Sequence, residues 1–310
     1  MINGKKFNKS YPNAKVVKLT VESNSHRDMQ YEDGLNVLIQ PFNSKPTCSS
    51  GGLYCCFKKD FGAWFRYGDA TMHNIWTVTI PDDAKVVVTD NKIKVDKFIL
   101  SDMRDLLTYD NCLEATAHRR FSLEYVPKQH KTNELCLMAV TQYGYNIRYI
   151  PEQHITPELC MIAVKQYGRV LRHVPEQHKT YELCITAVAQ NGESLCHVPE
   201  QHKTYELYIT AVAQNGNVLR NIPAQHNTKE LCLIAVTQNG NNLEFIPHAL
   251  RTYEVCLSAV AHDGYTLWYV PEQHKTKELC LTAVIQNENA LDYVPDELRG
   301  EIEILINNNQ

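Results

Sequence analysis

A single repeat period runs through the C-terminal two thirds of this chain and limits the folds open to it. Pro127 is followed by a proline at every 24th position as far as Pro295, and Thr132 by a threonine as far as Thr276. Ala139 recurs on the same step to Ala283, each time followed by valine. The grid reaches back to Thr108, Cys112 and Ala115, an imperfect first copy. Self-similarity at this spacing is the mark of a stacked repeat, in which no unit buries its apolar face alone.

One unit reads clearly as local structure. In "TYELCITAVAQNG" (180–192), Thr180 is placed to cap a helix and Glu182 puts negative charge in its first turn. Leu183, Cys184, Ile185, Ala187 and Val188 form an apolar set too wide for one stripe, so the helix must be enclosed on several sides. Gly192 reads as a stop in a left-handed conformation, leaving a helix of about ten residues. "ESLCHVPEQHK" then predicts a second short helix that ends at Pro199 and continues as an irregular turn through "PEQH". Residues 101–310 are therefore expected to form an all-α solenoid of about eight two-helix units, closed by a helix in "DELRGEIEILINNNQ".

The phrase "ELCLIAVTQNGNNLEFIP…LRTYEVCLSAVAHDG" resembles a 24-residue helical repeat family of unknown function found in bacteria, protists and giant viruses. That resemblance spans about 103–300 and implies the fold; it carries no established catalytic residues.

Two ladders within the grid invite chemical readings. His130, His154, His178, His202, His226 and His274 share one position, as metal ligands or a proton relay would. Equivalent atoms of stacked units lie about 8–10 Å apart, whereas a shared zinc needs each nitrogen within about 2.1 Å. Leu250 and Leu298 also take that position, so a packing residue at the seam between units is the expectation. The cysteines Cys112, Cys136, Cys160, Cys184, Cys232, Cys256 and Cys280 are read as small buried hydrophobes in a reducing compartment, with Tyr208 in the remaining unit. Cys196 lies off this grid and has no reading.

Variation between copies is more telling for function. One position after the glycine holds Arg148, Arg172, Cys196, Arg220, Glu244, Trp268 and Asp292; the next includes His173, His197 and Tyr269. Solenoids bind through the surface their variable positions share, and Arg, Trp and Tyr are frequent interface anchors. The candidate partner-binding set is Arg148, Arg172, Arg220, Glu244, Trp268, Asp292, His173, His197 and Tyr269. At the second position, half-buried packing is the competing reading.

Residues 1–100 lack the period. Short β-branched and aromatic runs at 14–23, 51–57, 74–81 and 93–102, bounded by Asn, Asp, Gly and Pro, predict strands. A short helix is expected within 59–68, giving a small β-rich α+β domain. The ordered set "QYEDGLNVLIQPFN", "CSSGGLY", "YG", "VTIPDDAKV" and "VDKFIL" resembles the N-terminal segment preceding ankyrin repeats in mimivirus-type proteins. This implies a giant-virus protein acting in the cytoplasm or viral factory of an infected cell. The segment departs from that family at Cys55 and Cys56.

Other classes are weaker. No apolar run reaches the roughly 18 residues of a membrane span, and no apolar segment follows the basic N-terminus as in a secretory signal. Residues 1–100 carry 14 Lys+Arg against 10 Asp+Glu and residues 101–310 carry 17 against 25, which disfavours nucleic acid along the repeats. A zinc site from His26, Cys48, Cys55, Cys56 and His73 lacks a standard spacing. The expectation is a non-enzymatic scaffold or adaptor binding a host or viral protein, with no catalytic residues, cofactor or metal. The alternative is an enzyme with an ADP-ribosyltransferase-like N-terminal domain around His26 and Tyr54, the solenoid recruiting its substrate.

Overall fold

The computed structural model describes residues 1–26, 29–45, 50–67, 70–117 and 121–307. The chain divides into two units, Met1–Ile155 and Thr156–Gln310. The first begins with β1 (Ile2–Asn3), α1 (Gly4–Ser10), β2 (Val16–Thr20), β3 (Ser25–His26), β4 (Met29–Gln30), β5 (Gly34–Val37) and β6 (Leu53–Phe57). A 3-10 helix, Lys58–Trp64, leads to β7 (Arg66–Tyr67), β8 (Ala70–Thr71), β9 (Asn74–Thr79), β10 (Lys85–Val88), β11 (Ile93–Val95) and β12 (Lys97–Asp105).

Eight of these strands form one antiparallel sheet in the order β1-β10-β11-β6-β2-β9-β12-β5; β3-β4 and β7-β8 are separate hairpins. Phe7 of α1 joins Leu53, Val78, Val86, Ile93, Phe98 and Leu100 in its core. Each expected strand run is present, but 93–102 is two strands rather than one. The chain turns at Asp96, whose carboxylate accepts from the Lys85 N–H at 2.7 Å, and β11 and β12 then pair in different parts of the sheet. Period-2 patterning cannot show such a break, because both strands alternate in the same way. The helix expected in 59–68 is the 3-10 helix at 58–64, and α1 is an addition to the expected elements.

The repeats begin in the first unit with α2 (Tyr109–Thr116) and α3 (Asn133–Gln142). The second unit holds α4 (Pro157–Gln166), α5 (Tyr181–Gln190), α6 (Tyr205–Gln214), α7 (Lys229–Gln238), α8 (Tyr253–His262), α9 (Lys277–Gln286) and the closing helix α10 (Asp296–Asn307). Within it, successive helices from α4 to α9 pack as stacked layers. Thr180 caps α5 through an N–H bond from Leu183 at 3.3 Å, and Leu183, Cys184, Ala187 and Val188 are buried. Enclosure on several sides is thus met by neighbours from both adjoining layers.

The second helix of each repeat is 3-10 rather than α, as in Gly192–His197, followed by a separate 3-10 turn at Glu200–His202. Asn191 starts it by accepting from the Glu193 N–H at 3.1 Å. Pro199 ends it by holding Val198 in extended backbone (φ −81°, ψ 129°). The short run between those two constraints leaves room for the tighter helix only.

The reading of Gly192 as a left-handed stop is corrected. Among the described residues the positive-φ glycines are Gly34 and Gly51; α5 ends instead on extended Asn191. Gly192 is needed because the next layer comes too close: a Cβ there would lie 2.6 Å from the Ala211 carbonyl oxygen. The same clash recurs at Gly168 with the Ala187 carbonyl and at Gly264 with that of Ala283. The glycine column ends at Glu288, which is exposed.

Candidate interaction surface

Much of the repeated phrase is consumed in holding layers together. The Gln190 side chain accepts from the Gly168 N–H at 2.7 Å and donates to the Gln166 carbonyl at 3.2 Å, so it bridges α5 to the preceding repeat. Gln214 and Gln238 repeat the first bond, to Gly192 and Gly216. A second ladder joins the starts of the helices: Tyr181 donates to Glu206 at 2.7 Å, and Tyr205 to Glu230 at 2.8 Å. Lys229 and Lys277 replace the tyrosine with ion pairs to Glu254 and Glu301. Sequence reading missed both ladders, although the recurring glutamine and the first-turn glutamate are visible in copy after copy.

The histidines occupy the seam. His154 shares a hydrogen bond with Asn133 at 2.6 Å, while the His130 and His202 rings rest near Tyr109 and Tyr181 at 6.4 and 6.5 Å. In each case the partner is the first residue of the preceding repeat's helix. No group of three metal-binding side chains occurs among the described residues. The seven grid cysteines are fully buried, and burial pushes their thiols up to about 11. Tyr208 is buried at the equivalent place.

The variable position lies elsewhere. In the second unit Arg172, Cys196, Arg220, Glu244, Trp268 and Asp292 are all exposed, one on each successive 3-10 helix, and those helices contact their neighbours. The result is a strip that is basic at Arg172 and Arg220 and acidic around Trp268. In the first unit Arg148 is exposed, its guanidinium 4.5 Å from the Tyr149 ring centre. His173, His197 and Tyr269 are half-buried. The Arg172 Nε donates to His173 at 2.9 Å. Burial, then the charges of Lys179 and Arg172, holds His197 below the ordinary imidazole range. Burial and the neighbouring Glu244 raise the Tyr269 hydroxyl.

In the N-terminal sheet, Leu53 and Cys55 join the core described above, while Cys56, next along β6, is buried on the other face. The two thiols therefore point apart. Burial raises both, Cys55 to about 12. Cys48 and the side chain of His26 lie outside the described residues. Tyr54 lines an open cleft of about 380 Å³ together with Tyr31, Ile39, Gly51 and Gly52, and its described lining contains no Asp, Glu or His. Beneath Gly52 runs the aliphatic chain of Lys94, which is 2% exposed; a Cβ on Gly52 would lie 2.2 Å from it. Lys18, also buried, holds its ammonium 4.5 Å from the Tyr31 ring centre. Neither lysine reads as an interior residue in the sequence, since alternation along a strand cannot tell a covered second face from an open one.

Residues 133–179, 156–203, 204–251 and 252–299 match the Domain of unknown function (DUF4116) family, which covers more than half of the chain. The chain belongs to this family. The DUF4116 matches coincide with α3 to α9 and the 3-10 helices between them. An uncharacterized protein of Acanthamoeba polyphaga mimivirus is 35% identical over 80 residues, which is 25% of this chain and 56% of that protein. The match thus spans about half the length of that relative. No solved structure matches the chain. Among the described residues, no helix is long and apolar enough to cross a membrane.

Proposed function

We propose that this chain is a non-enzymatic scaffold or adaptor of a giant virus that binds a host or viral protein, through the exposed variable strip of its DUF4116 repeats, in the cytoplasm or viral factory of the infected cell. The observation that carries this reading is the division of labour within each repeat. Many residues that recur are engaged in packing or in bonds between layers, whereas the first variable position faces water on each successive 3-10 helix of the second unit. Surfaces of this kind serve recognition in stacked repeats. Similarity to a mimivirus protein supports the viral setting.

The test compares capture by the full chain and by a variant carrying Arg172→Glu, Arg220→Glu and Trp268→Ala, from lysates of mimivirus-infected amoebae. The expected result is a protein held by the parent chain and lost by at least tenfold from the variant, with the melting temperature unchanged. Equal capture by both chains would remove the strip from consideration.

A further inference from the structure

At its C-terminal end the strip carries an unusual group of rings. Tyr265 and Trp268 sit three residues apart on the 3-10 helix Gly264–Tyr269, a spacing at which side chains eclipse. Tyr293, from the next repeat, packs against both: its ring centre is 5.2 Å from each, and its hydroxyl donates to Tyr265 at 2.8 Å. The contact leaves Trp268 62% exposed and Tyr265 47% exposed. Isolated surface aromatics are ordinary, whereas here Tyr293 joins Tyr265 and Trp268, each edge to face, into one partly exposed aromatic cluster.

The exposed positions that flank Trp268 along the variable strip are acidic. Glu244 and Asp292 hold the positions equivalent to Trp268 in the repeats before and after it, and both are exposed, as is Glu288. Two nearby arginines are engaged with the chain, Arg299 also with the Asp296 carboxylate. Arg251 donates to the backbone carbonyls of Glu244, Ile246 and Tyr269, and Arg299 reaches those of Asp292 and Val294. An acid, an aromatic group and a second acid therefore follow one another along the stack, about 8–10 Å apart.

We infer that Tyr265, Trp268 and Tyr293, with Glu244 and Asp292, form a binding site for basic side chains of an extended protein segment. A cation over a ring face is attracted by the ring's negative quadrupole, and flanking carboxylates add to that attraction. The spacing suits a peptide: a polyproline-type strand advances about 3.1 Å per residue and returns to the same side every third residue. Basic residues three apart thus meet successive repeats. This site rests on the interaction reading above and specifies the chemistry of the partner at one end of the strip.

The test titrates the full chain into a fluorescein-labelled peptide of four Arg-Gly-Ser repeats and follows anisotropy at low and moderate salt. The site predicts saturable binding that Trp268→Ala weakens at least fivefold although net charge is unaltered. Asp292→Asn and Glu244→Gln each weaken it severalfold, and binding of the matching Glu-Gly-Ser peptide is indifferent to Trp268. Circular dichroism checks that each variant stays folded, as the exposure of Trp268 leads one to expect. Arginine-peptide affinity that is the same with and without Trp268, or no binding of that peptide, overturns the site. The interaction reading has its own test, since a partner captured by the parent and lost from the strip variant sustains it whatever the peptide does.

Discussion

Close approach of layers, rather than turn geometry, explains the recurring glycine of the repeat. Gly192 has an ordinary negative φ and still cannot carry a side chain, because the Ala211 carbonyl oxygen would meet a Cβ at 2.6 Å. Gly192→Ala should therefore destabilise the chain by about 1–3 kcal/mol, as overpacking of a dense interior does. Gly300, inside α10 with nothing within 4 Å of a Cβ placed there, is the matched control. Gly300→Ala should stabilise by about 1 kcal/mol through helix propensity alone. Thermal melts of both variants check the contrast; a harmless change at 192 would contradict this explanation. The sequence shows that a glycine is wanted at this point of nearly every repeat but not why, because the reason is an atom of the following repeat. Thr180 is the opposite case: its cap is a local bond, legible from the few residues around it.

At the scale of the helix, buried thiols give the fold a pH dependence with a definite sign. Burial holds the grid cysteines near 11 when folded, against an ordinary value of about 8.5 when unfolded. The unfolded chain then loses its protons first. Their contribution to stability is full below about pH 8.5 and is lost as pH rises towards 11. The melting temperature should fall across that window, and with a shallower slope in a Cys184→Ala, Cys232→Ala chain. At pH 8 only about one in a thousand of such thiols is ionised, so iodoacetamide should modify exposed Cys196 well before any grid cysteine, read by peptide mass spectrometry. Labelling of the grid at the rate of Cys196 would show that the layers open. The α-helical half of each repeat is readable from its apolar set and caps. Its 3-10 half is not, because the bond pattern depends on where Asn191 and Pro199 pin the backbone rather than on hydrophobic spacing.

At the scale of the whole molecule, the chain separates residues that build the stack from variable residues left exposed on the 3-10 helices. That separation is visible in the sequence as a contrast between fixed and changing columns, and the exposure of Arg172, Arg220, Glu244, Trp268 and Asp292 agrees with it. The sequence could not reveal the ring cluster, since Tyr293 reaches Tyr265 and Trp268 only through stacking of adjacent repeats. Nor could it reveal the engagement of Arg251 with the Tyr269 carbonyl. Site-specific photo-crosslinking in infected cells decides whether the strip is the surface that meets a partner. p-Benzoylphenylalanine is placed in the full chain either at Cys196, on the strip, or at Ala189, exposed on the first helix of the same repeat. A protein partner should be crosslinked from position 196 and at least fivefold less from 189. Equal yields, or a partner reached from 189 alone, would contradict recognition through the strip.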